Sequence, residues 1–172
     1  TGWVMVNYED RRHTIEQQVQ KAGEKLGGQA VIEADLLDEV TALVEWPVAL
    51  AGSFEERFLK IPAQALISSM KEHQKYFHVV NEDGQLLPYF ITVSNIESRD
   101  PDKIIAGNER VIRPRLSDAA FFYETDCKHS LESLLPRLDR IVFQNKLGSI
   151  GDKVRRIESL AVTLGKHTGA DL

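Results

Sequence analysis

A β-hairpin signal in the middle of the chain is the strongest constraint on its fold. Residues 76–80 read Tyr-Phe-His-Val-Val, and such a run of aromatic and β-branched residues favours a strand. Residues 81–84 read Asn-Glu-Asp-Gly, a turn in which glycine accepts a positive φ angle. The return strand is predicted over residues 86–94. We expect its early part at a sheet edge, because Pro88 cannot donate a ladder hydrogen bond.

Helical periodicity dominates the chain before this hairpin. The spacing of apolar residues predicts a first helix that Asn7 caps and Gly27 ends. A second helix is predicted over residues 34–44. A third begins near Pro62, since proline is tolerated at the first position of a helix. Residues 48–51 read as a short buried strand between the second and third helices.

The chain after the hairpin is predicted to be mainly helical. Residues 100–126 have helical periodicity, but Pro114 removes a backbone hydrogen bond and clashes with the preceding turn, so we expect a kink or break there. Ser149 and Asp152 have the spacing of a capping box at the start of a last helix, which Gly165 is expected to end. Five residues of that helix form a predicted buried stripe: Ile150, Val154, Ile157, Ala161 and Leu164.

This order of elements predicts an α+β fold rather than a regular βαβ alternation. The expected architecture is a set of helices with a small antiparallel sheet, which includes the hairpin near residues 76–94, and a mainly helical C-terminal part. We divide the chain into an α+β part at residues 1–98 and a helical part at residues 99–172, packed on the first as one unit. The 172 residues are enough to bury a core in one domain or two small ones.

The composition narrows the class of protein. It is 42% hydrophobic and 27% charged, which is typical of a globular protein, and no apolar run approaches the ~20 residues of a membrane span. The single cysteine, Cys127, excludes an internal disulfide framework and favours a reducing cytoplasm. It stands near His129, but the segment reads as an exposed helix end rather than as a nucleophile with its base. Because the sequence begins without Met or a signal peptide, we expect a fragment of a longer chain.

The charge is distributed unevenly. A net charge of −5 argues against a protein that coats nucleic acid without sequence preference, because the affinity of such a protein comes from many Lys and Arg contacts with phosphates. Residues 1–98 hold 8 basic and 15 acidic side chains, whereas residues 99–172 hold 13 and 11. The whole-chain charge therefore hides a mildly basic C-terminal part.

The sequence lacks the surrounding pattern that phosphate-binding, KH-type RNA-binding, zinc and catalytic sites require. No glycine-rich segment has the spacing and the strand–loop–helix setting of a phosphate loop. Residues 148–151 match the GxxG loop of an RNA-binding KH domain, but the β-α-α-β order around it is missing. Glu72, His73 and His78 lack the CxxC or HExxH spacing of a zinc site. No group of nucleophile, base and orienting residue is evident, so a free-standing enzyme is the least favoured hypothesis.

Two polar clusters remain as candidates for RNA contact, one at a helix-to-strand corner and one around Pro114. A guanidinium group can grip a phosphate with two hydrogen bonds, and an exposed tyrosine can stack on an unpaired base. The candidate residues are His73, Gln74, Lys75, Tyr76, Arg110, Arg113 and Arg115.

The same residues have a structural interpretation. Carboxylates such as Glu109 and Asp118 lie close enough in sequence to form surface salt bridges with the arginines, each worth ~0–1 kcal/mol. An arginine buried against a carboxylate would have the same sequence pattern. Contact with RNA and internal ion pairs therefore stay open as alternatives.

Five motifs occur in an order that resembles a known family. They are LVEWP at residues 43–47, HQKYF at 73–77, SNIES at 94–98, GNERVIRPRLSDA at 107–119 and FFYETD at 121–126. Together they strongly resemble the β subunit of the bacterial, α2β2 type of glycyl-tRNA synthetase. The resemblance extends from about Tyr8 to Leu164 and is to a middle region of that subunit.

The resemblance implies a function that the residue patterns do not establish. It implies an aminoacyl-tRNA synthetase of class II that joins glycine to tRNA(Gly) in the cytoplasm, with ATP and Mg used by the whole enzyme and no cofactor bound by this fragment. The catalytic core belongs to the α subunit, so no catalytic or metal-binding residue is assigned here. The implied partners are the α subunit, the remaining β-subunit domains and tRNA(Gly), without a membrane. Whether the seven candidate residues help to position tRNA, or only belong to a scaffold that docks other domains, stays open.

Overall fold

The computed structural model describes residues 3–170, which form two compact units that divide after Tyr123. The first unit is built from helices and a sheet, and the second from short helices, a small ribbon and one long helix. The α+β fold class is confirmed. The first compact unit includes residues 99–123, so the boundary between the units lies after the predicted one at residue 98.

The first unit contains three α-helices, most of a fourth and four strands. The helices are α1 (Tyr8–Lys25), α2 (Ala34–Leu43), α3 (Ala63–Gln74) and α4 (Pro101–Asp126), with a 3-10 helix at Glu56–Lys60. The strands are β1 (Gln29–Ala30), β2 (Val48–Ser53), β3 (Phe77–Val80) and β4 (Leu86–Ser94). They form one antiparallel sheet in the order β1-β3-β4-β2.

The predicted hairpin is confirmed as β3 and β4, with Gly84 at a φ of 76° in the turn. β4 as a whole lies between β3 and β2, but its pairing with β2 begins at Tyr89, so its early part, which contains Pro88, has a strand neighbour only on the β3 side, as expected. Proline is accommodated there because its nitrogen faces Phe54, which lies beyond the end of β2, so the β2–β4 ladder loses no hydrogen bond. The Pro88 carbonyl still accepts a hydrogen bond of 3.0 Å from the Phe54 N–H.

The sheet separates two hydrophobic cores. Successive residues of a strand point to opposite faces, and Phe90 and Ile91 of β4 each enter a different core. One core packs α1 and α2 on the sheet and includes Ile15, Val19, Leu37 and Phe77. The other packs α3 and α4 on the opposite face and includes Leu66, Met70, Ile112 and Leu116. Each fully buried side chain of this size contributes about 1.5–3 kcal/mol.

Local signals set the helix ends as predicted in this unit. The Asn7 side chain accepts hydrogen bonds from the N–H groups of Glu9 and Asp10, at 2.9 and 3.1 Å. Gly27, just after α1, has a φ of 74°. α3 begins directly after Pro62.

The prediction for Pro114 is a kink or a break, and a break is wrong, since α4 is one helix from Pro101 to Asp126. Ile112 and Leu116, on either side of the proline, are both fully buried in the α3–α4 core. Burial of these two side chains offsets the roughly 3 kcal/mol that an interior proline costs a helix.

The second unit has its own capped elements. They are α5 (Leu131–Leu134), a 3-10 helix at Leu135–Arg140, β5 (Val142–Gln144), β6 (Gly148–Ser149) and α6 (Ile150–Thr168). Ser149 and Asp152 form the predicted capping box, and hydrogen bonds to the Asp152 carboxylate hold its pKa well below the usual range. α6 passes through Gly165 and ends at Gly169, which has a φ of 71°. The prediction that Gly165 ends the helix is therefore wrong.

The predicted buried stripe of α6 is exposed except at Ile150, which is half-buried. Ile157 and Leu164 are 54% and 63% exposed, and no apolar side chain between residues 124 and 170 is buried. Periodicity correctly identified an amphipathic helix, but the described residues do not provide a surface that covers its apolar face.

A matched pair of glycine substitutions tests the sheet packing. A methyl group on Gly52 of β2 would meet the Phe90 ring at less than contact distance, so Gly52→Ala is expected to lower the free energy of unfolding by about 1–3 kcal/mol. Gly107 is exposed on α4 with open space around its Cα, and Gly107→Ala is expected to raise stability by ~0.5–1 kcal/mol. The free energy of unfolding, measured with urea, should fall for one variant and rise for the other. Equal changes in the two variants would contradict this packing.

Candidate nucleic-acid interface

The corner between α3 and β3 depends on Lys75. Its φ is 59°, the one positive value of a non-glycine residue in the described chain. Its N–H donates to the Lys71 carbonyl and the next N–H, of Tyr76, donates to the Met70 carbonyl, both at 3.1 Å. This left-handed turn ends the helix and directs the chain into β3.

Tyr76 is a core residue. It is 2% exposed, and its ring stacks on that of Phe90 with 4.5 Å between the centroids. Its hydroxyl donates a hydrogen bond of 2.6 Å to Oδ1 of Asn108, and burial raises the pKa of this phenol to about 12. The ring is therefore not available for stacking on a base.

The Tyr76–Asn108 hydrogen bond joins the two candidate clusters, which lie more than thirty residues apart in sequence. Asn108 also donates from Nδ2 to the Ile104 carbonyl at 2.8 Å, so its side chain is held on both sides. Arg115 lies near enough that its charge opposes the rise of the Tyr76 pKa. The corner and the arginine segment thus belong to one region of the first unit.

The three arginines do not form a single cluster on α4. Residues of an α-helix are spaced by about 100°, which places Arg113 and Arg115 on opposite sides of the buried Ile112 and Leu116, and Arg110 farther outward. Arg113 pairs through Nε with Glu55 at 2.9 Å. Arg110 and Arg115 are exposed, and neither has a carboxylate within salt-bridge distance in the described part of the chain.

The corner residues also differ in their availability. Lys75 pairs with Glu39 of α2 at 2.9 Å between Nζ and Oε1. Gln74 is half-buried, whereas His73 is exposed. Of the seven candidates, His73, Arg110 and Arg115 are therefore the exposed groups without an ion pair among residues 3–170.

Sequence reasoning missed an ion-pair cluster beneath this corner. Lys71 of α3 pairs with Glu33 and, at 3.0 Å, with Asp35, both at the start of α2, and these carboxylates hold the Lys71 pKa above its usual value. His78 of β3 is 6% exposed beside them, and burial lowers its pKa. Lys71 and its two carboxylate partners are 36–38 residues apart in sequence, so local sequence patterns do not reveal the pairing. The one available signal is the acidic start of α2.

Neither a metal-ligand cluster nor a membrane-spanning helix occurs in the part of the chain that the structure describes. Across residues 3–170, no group of three or more His, Cys, Asp or Glu side chains is placed to hold a metal ion. In the same residues, each helix is too short or too polar to cross a membrane.

Replacement of Tyr76 tests the link between the corner and α4. Tyr76→Phe removes a buried hydrogen bond and leaves the Asn108 oxygen without its donor, so the free energy of unfolding should fall by about 1–2 kcal/mol. Tyr8→Phe is the matched control, because the Tyr8 hydroxyl makes only an exposed 3.3 Å bond to the Asp38 carbonyl. Urea unfolding is expected to show a much smaller loss for this control; equal losses would contradict the assigned role.

The raised pKa of Tyr76 has a pH signature. In the unfolded chain the phenol ionises near its usual value of about 10, whereas in the folded chain it stays protonated to about 12. The folded state therefore binds more protons in this window, and the stability from this group is present below pH ~10 and is lost as the pH rises to about 12. Unfolding measured across this range should decline more steeply for the native chain than for Tyr76→Phe.

Comparison with known proteins identifies the family. A family model described as "Glycyl-tRNA synthetase beta subunit" matches residues 1–171. The glycine–tRNA ligase beta subunit of Marinobacter nauticus is 59% identical over 171 residues, and that of Shewanella sp. (strain MR-4) is 56% identical over 170; each match covers 99% of this chain and 25% of the relative. The beta subunit of Hahella chejuensis is 57% identical over 164 residues, which are 95% of this chain and 24% of the relative.

The extent of these matches defines what the chain represents. It spans about a quarter of the length of the curated relatives that it matches. The resemblance read from the sequence motifs is confirmed. The chain belongs to the glycyl-tRNA synthetase beta subunit family, of which it represents a segment.

Proposed function

We propose that this chain is a non-catalytic segment of a glycine–tRNA ligase and helps to position tRNA(Gly) for glycylation by an α2β2 enzyme. Support for the enzyme class comes from the relatives, which carry the name glycine–tRNA ligase beta subunit. In this proposal the complete enzyme works in the cytoplasm and uses ATP with Mg, and the α subunit carries the catalytic residues.

The observation that carries the proposal is the junction of the two candidate clusters through Tyr76 and Asn108. It ties α4 to the end of α3 by a buried hydrogen bond. The side chains of Arg110, Arg115 and His73 therefore project from a rigid part of the first unit. Rigid placement matters because a phosphate contact orients an RNA only if the cation itself has a defined position.

The chemistry expected of these cations is electrostatic. An exposed guanidinium without a carboxylate partner can exchange its counterions for an RNA phosphate, which contributes affinity without base specificity. Holding tRNA in one orientation lowers the barrier to glycylation through positioning rather than through bond chemistry. Arg113 and Lys75 are less suited to this role, because Glu55 and Glu39 compete for their charges.

Alanine substitutions in the full-length β subunit of the complete enzyme test tRNA contact. Arg110→Ala and Arg115→Ala, singly and together, should weaken tRNA binding, and each lost phosphate contact should reduce the slope of log K against log salt by about 0.7–0.9. Adenylate formation from glycine and ATP without tRNA is expected to stay unchanged. Binding is measured by fluorescence anisotropy over a series of salt concentrations.

Arg12→Ala serves as the control for lost charge. Arg12 lies on α1 in an ion pair with Asp38, so its removal changes the net charge equally at another place of the same unit. An unchanged tRNA affinity in folded Arg110 and Arg115 variants, or an equal loss in the Arg12 variant, would contradict the proposed contact.

A second candidate function is a scaffold that docks other β-subunit domains or the α subunit without RNA contact. It is favoured by α6, on which Ile157, Leu160 and Leu164 are each more than half exposed. An apolar helix face of this kind is typical of an interface.

Substitution of two leucines tests the scaffold. Leu160→Ser with Leu164→Ser should scarcely change the unfolding of the 172-residue chain, because both side chains are already exposed there. In full-length β or the complete enzyme, the same pair should lower the melting temperature if the face is covered. Glu158→Ser, on the polar side of α6, is the control; no difference between the two in the complete enzyme would contradict docking.

A further inference from the structure

We propose that the outer edge of strand β2 binds an extended, acidic segment of a separate protein chain, which pairs with the backbone of β2 at the open position Ala51. The inference is independent of the tRNA proposal, because it rests on other residues of the first unit. β2 lies at one end of the sheet order β1-β3-β4-β2 and is six residues long, whereas β1 at the opposite end has two. An edge strand can pair with an incoming strand wherever its outward backbone groups are left without a partner.

The direction of the β2 backbone groups follows from three hydrogen bonds. The Ala49 N–H donates to Oε1 of Gln18 and the Ser53 N–H donates to Oε1 of Glu109, both at 2.8 Å, so both point away from β4. The Phe54 N–H points the other way, to the Pro88 carbonyl of β4. Because outward and inward groups alternate along an antiparallel edge, the N–H and C=O of Ala51 also point outward.

Ala51 is the open position between two covered ones. Gln18 covers the start of the edge, since it also donates from Nε2 to the Pro47 carbonyl at 3.1 Å. Glu109 covers the end, where its carboxylate accepts from both the N–H and the hydroxyl of Ser53. For the outward groups of Ala51 the described chain provides no hydrogen-bond partner. An incoming strand would supply an N–H and a C=O at this position.

A groove runs beside this open position. It has a volume of about 370 Å³ and is lined by residues 49–51 of β2, by α1 and by Ile105 of α4. The small side chains of Ala49 and Ala51 leave room for an approaching backbone, and Ala22 and Leu26 provide an apolar wall. Alternate side chains of an added strand would enter the groove, as in other cases of strand addition.

The charge of the groove selects the occupant. Its charged lining residues are Lys21 and Lys25, both exposed and neither in an ion pair within the residues that the structure describes. They favour carboxylates on the incoming segment. A second copy of this chain would instead bring its own Lys21 and Lys25 to an edge-to-edge pair, which opposes self-association. Pairing with the backbone groups of Ala51 selects a polypeptide rather than an RNA.

Peptide binding to the 172-residue chain tests the chemistry of the site. The probe is a fluorescein-labelled decapeptide of alternating valine and threonine with two glutamates at one end, and a second decapeptide carries lysines in place of the glutamates. Saturable binding of the acidic probe, at least tenfold tighter than that of the basic one, is expected. Equal binding of the two, or no saturable binding, would overturn the proposal.

Two variants locate the binding site. Lys21→Glu with Lys25→Glu should weaken binding of the acidic probe at least tenfold, whereas Lys146→Glu in the second unit should leave it unchanged. Ala51→Pro removes only the outward N–H and keeps the β2–β4 ladder, so it should abolish binding, whereas Ala51→Gly, which retains the N–H, should not. The proposal would be overturned if the two controls, Lys146→Glu and Ala51→Gly, both lost binding. It would also be overturned if none of the four variants lost it.

Amide hydrogen exchange keeps the test decisive if Ala51→Pro does not fold. In the native chain, the acidic probe should slow exchange of the Ala51 amide and leave those of Ala49 and Ser53 unchanged, because these already donate to side chains. Protection elsewhere without protection at Ala51 would overturn the assigned position.

Crosslinking in the complete enzyme identifies the natural occupant. A photoreactive amino acid in place of Leu50 of the full-length β subunit should crosslink to an extended acidic segment of a different protein chain. A crosslink within the same chain, to a second β subunit or to tRNA, or no crosslink at all, would overturn the commitment to a separate protein partner.

Discussion

The alternation of side chains along β4 is the constraint on which the first unit depends. Because successive residues face opposite sides of the sheet, Phe90 and Ile91 enter different cores, and one strand holds two pairs of helices together. Pro88 lies in the early part of β4, beyond the pairing with β2 that begins at Tyr89, so its missing donor removes no bond of that ladder. α4 is continuous through Pro114, and the residues on either side of the proline, Ile112 and Leu116, are buried in the α3–α4 core.

This packing also determines what the candidate surface can do. Tyr76 stacks on Phe90 and donates to Asn108, so a residue with the chemistry of an RNA contact serves as a link between α3 and α4. Lys75 and Arg113 are likewise engaged within the protein, because each forms an ion pair with a glutamate. What is exposed without an ion pair among the described candidate residues is a small set of groups, Arg110, Arg115 and His73.

The molecule also presents surfaces with incomplete packing or pairing. In the first unit the edge of β2 has free backbone groups at Ala51, beside a groove with two lysines. The second unit exposes the apolar face of α6, although its Ser149 capping box is fully formed. Local hydrogen bonds are therefore satisfied where long-range apolar contacts are not. The chain in which this combination occurs covers about a quarter of the length of its relatives.

The sequence by itself determined the elements whose cause is local: the Asn7 cap, the glycine turn of the hairpin, the Ser149–Asp152 capping box and the family motifs. These depend on residues a few positions apart, so pattern and propensity suffice to predict them. Only the tertiary structure decided which groups are buried or paired. Periodicity identified an apolar stripe on α6 but not whether anything covers it, and residue type identified Tyr76 and Arg113 but not their partners, Asn108 and Glu55. The physical reason is that burial and ion pairing depend on contacts between residues far apart in the chain, which the fold alone brings together.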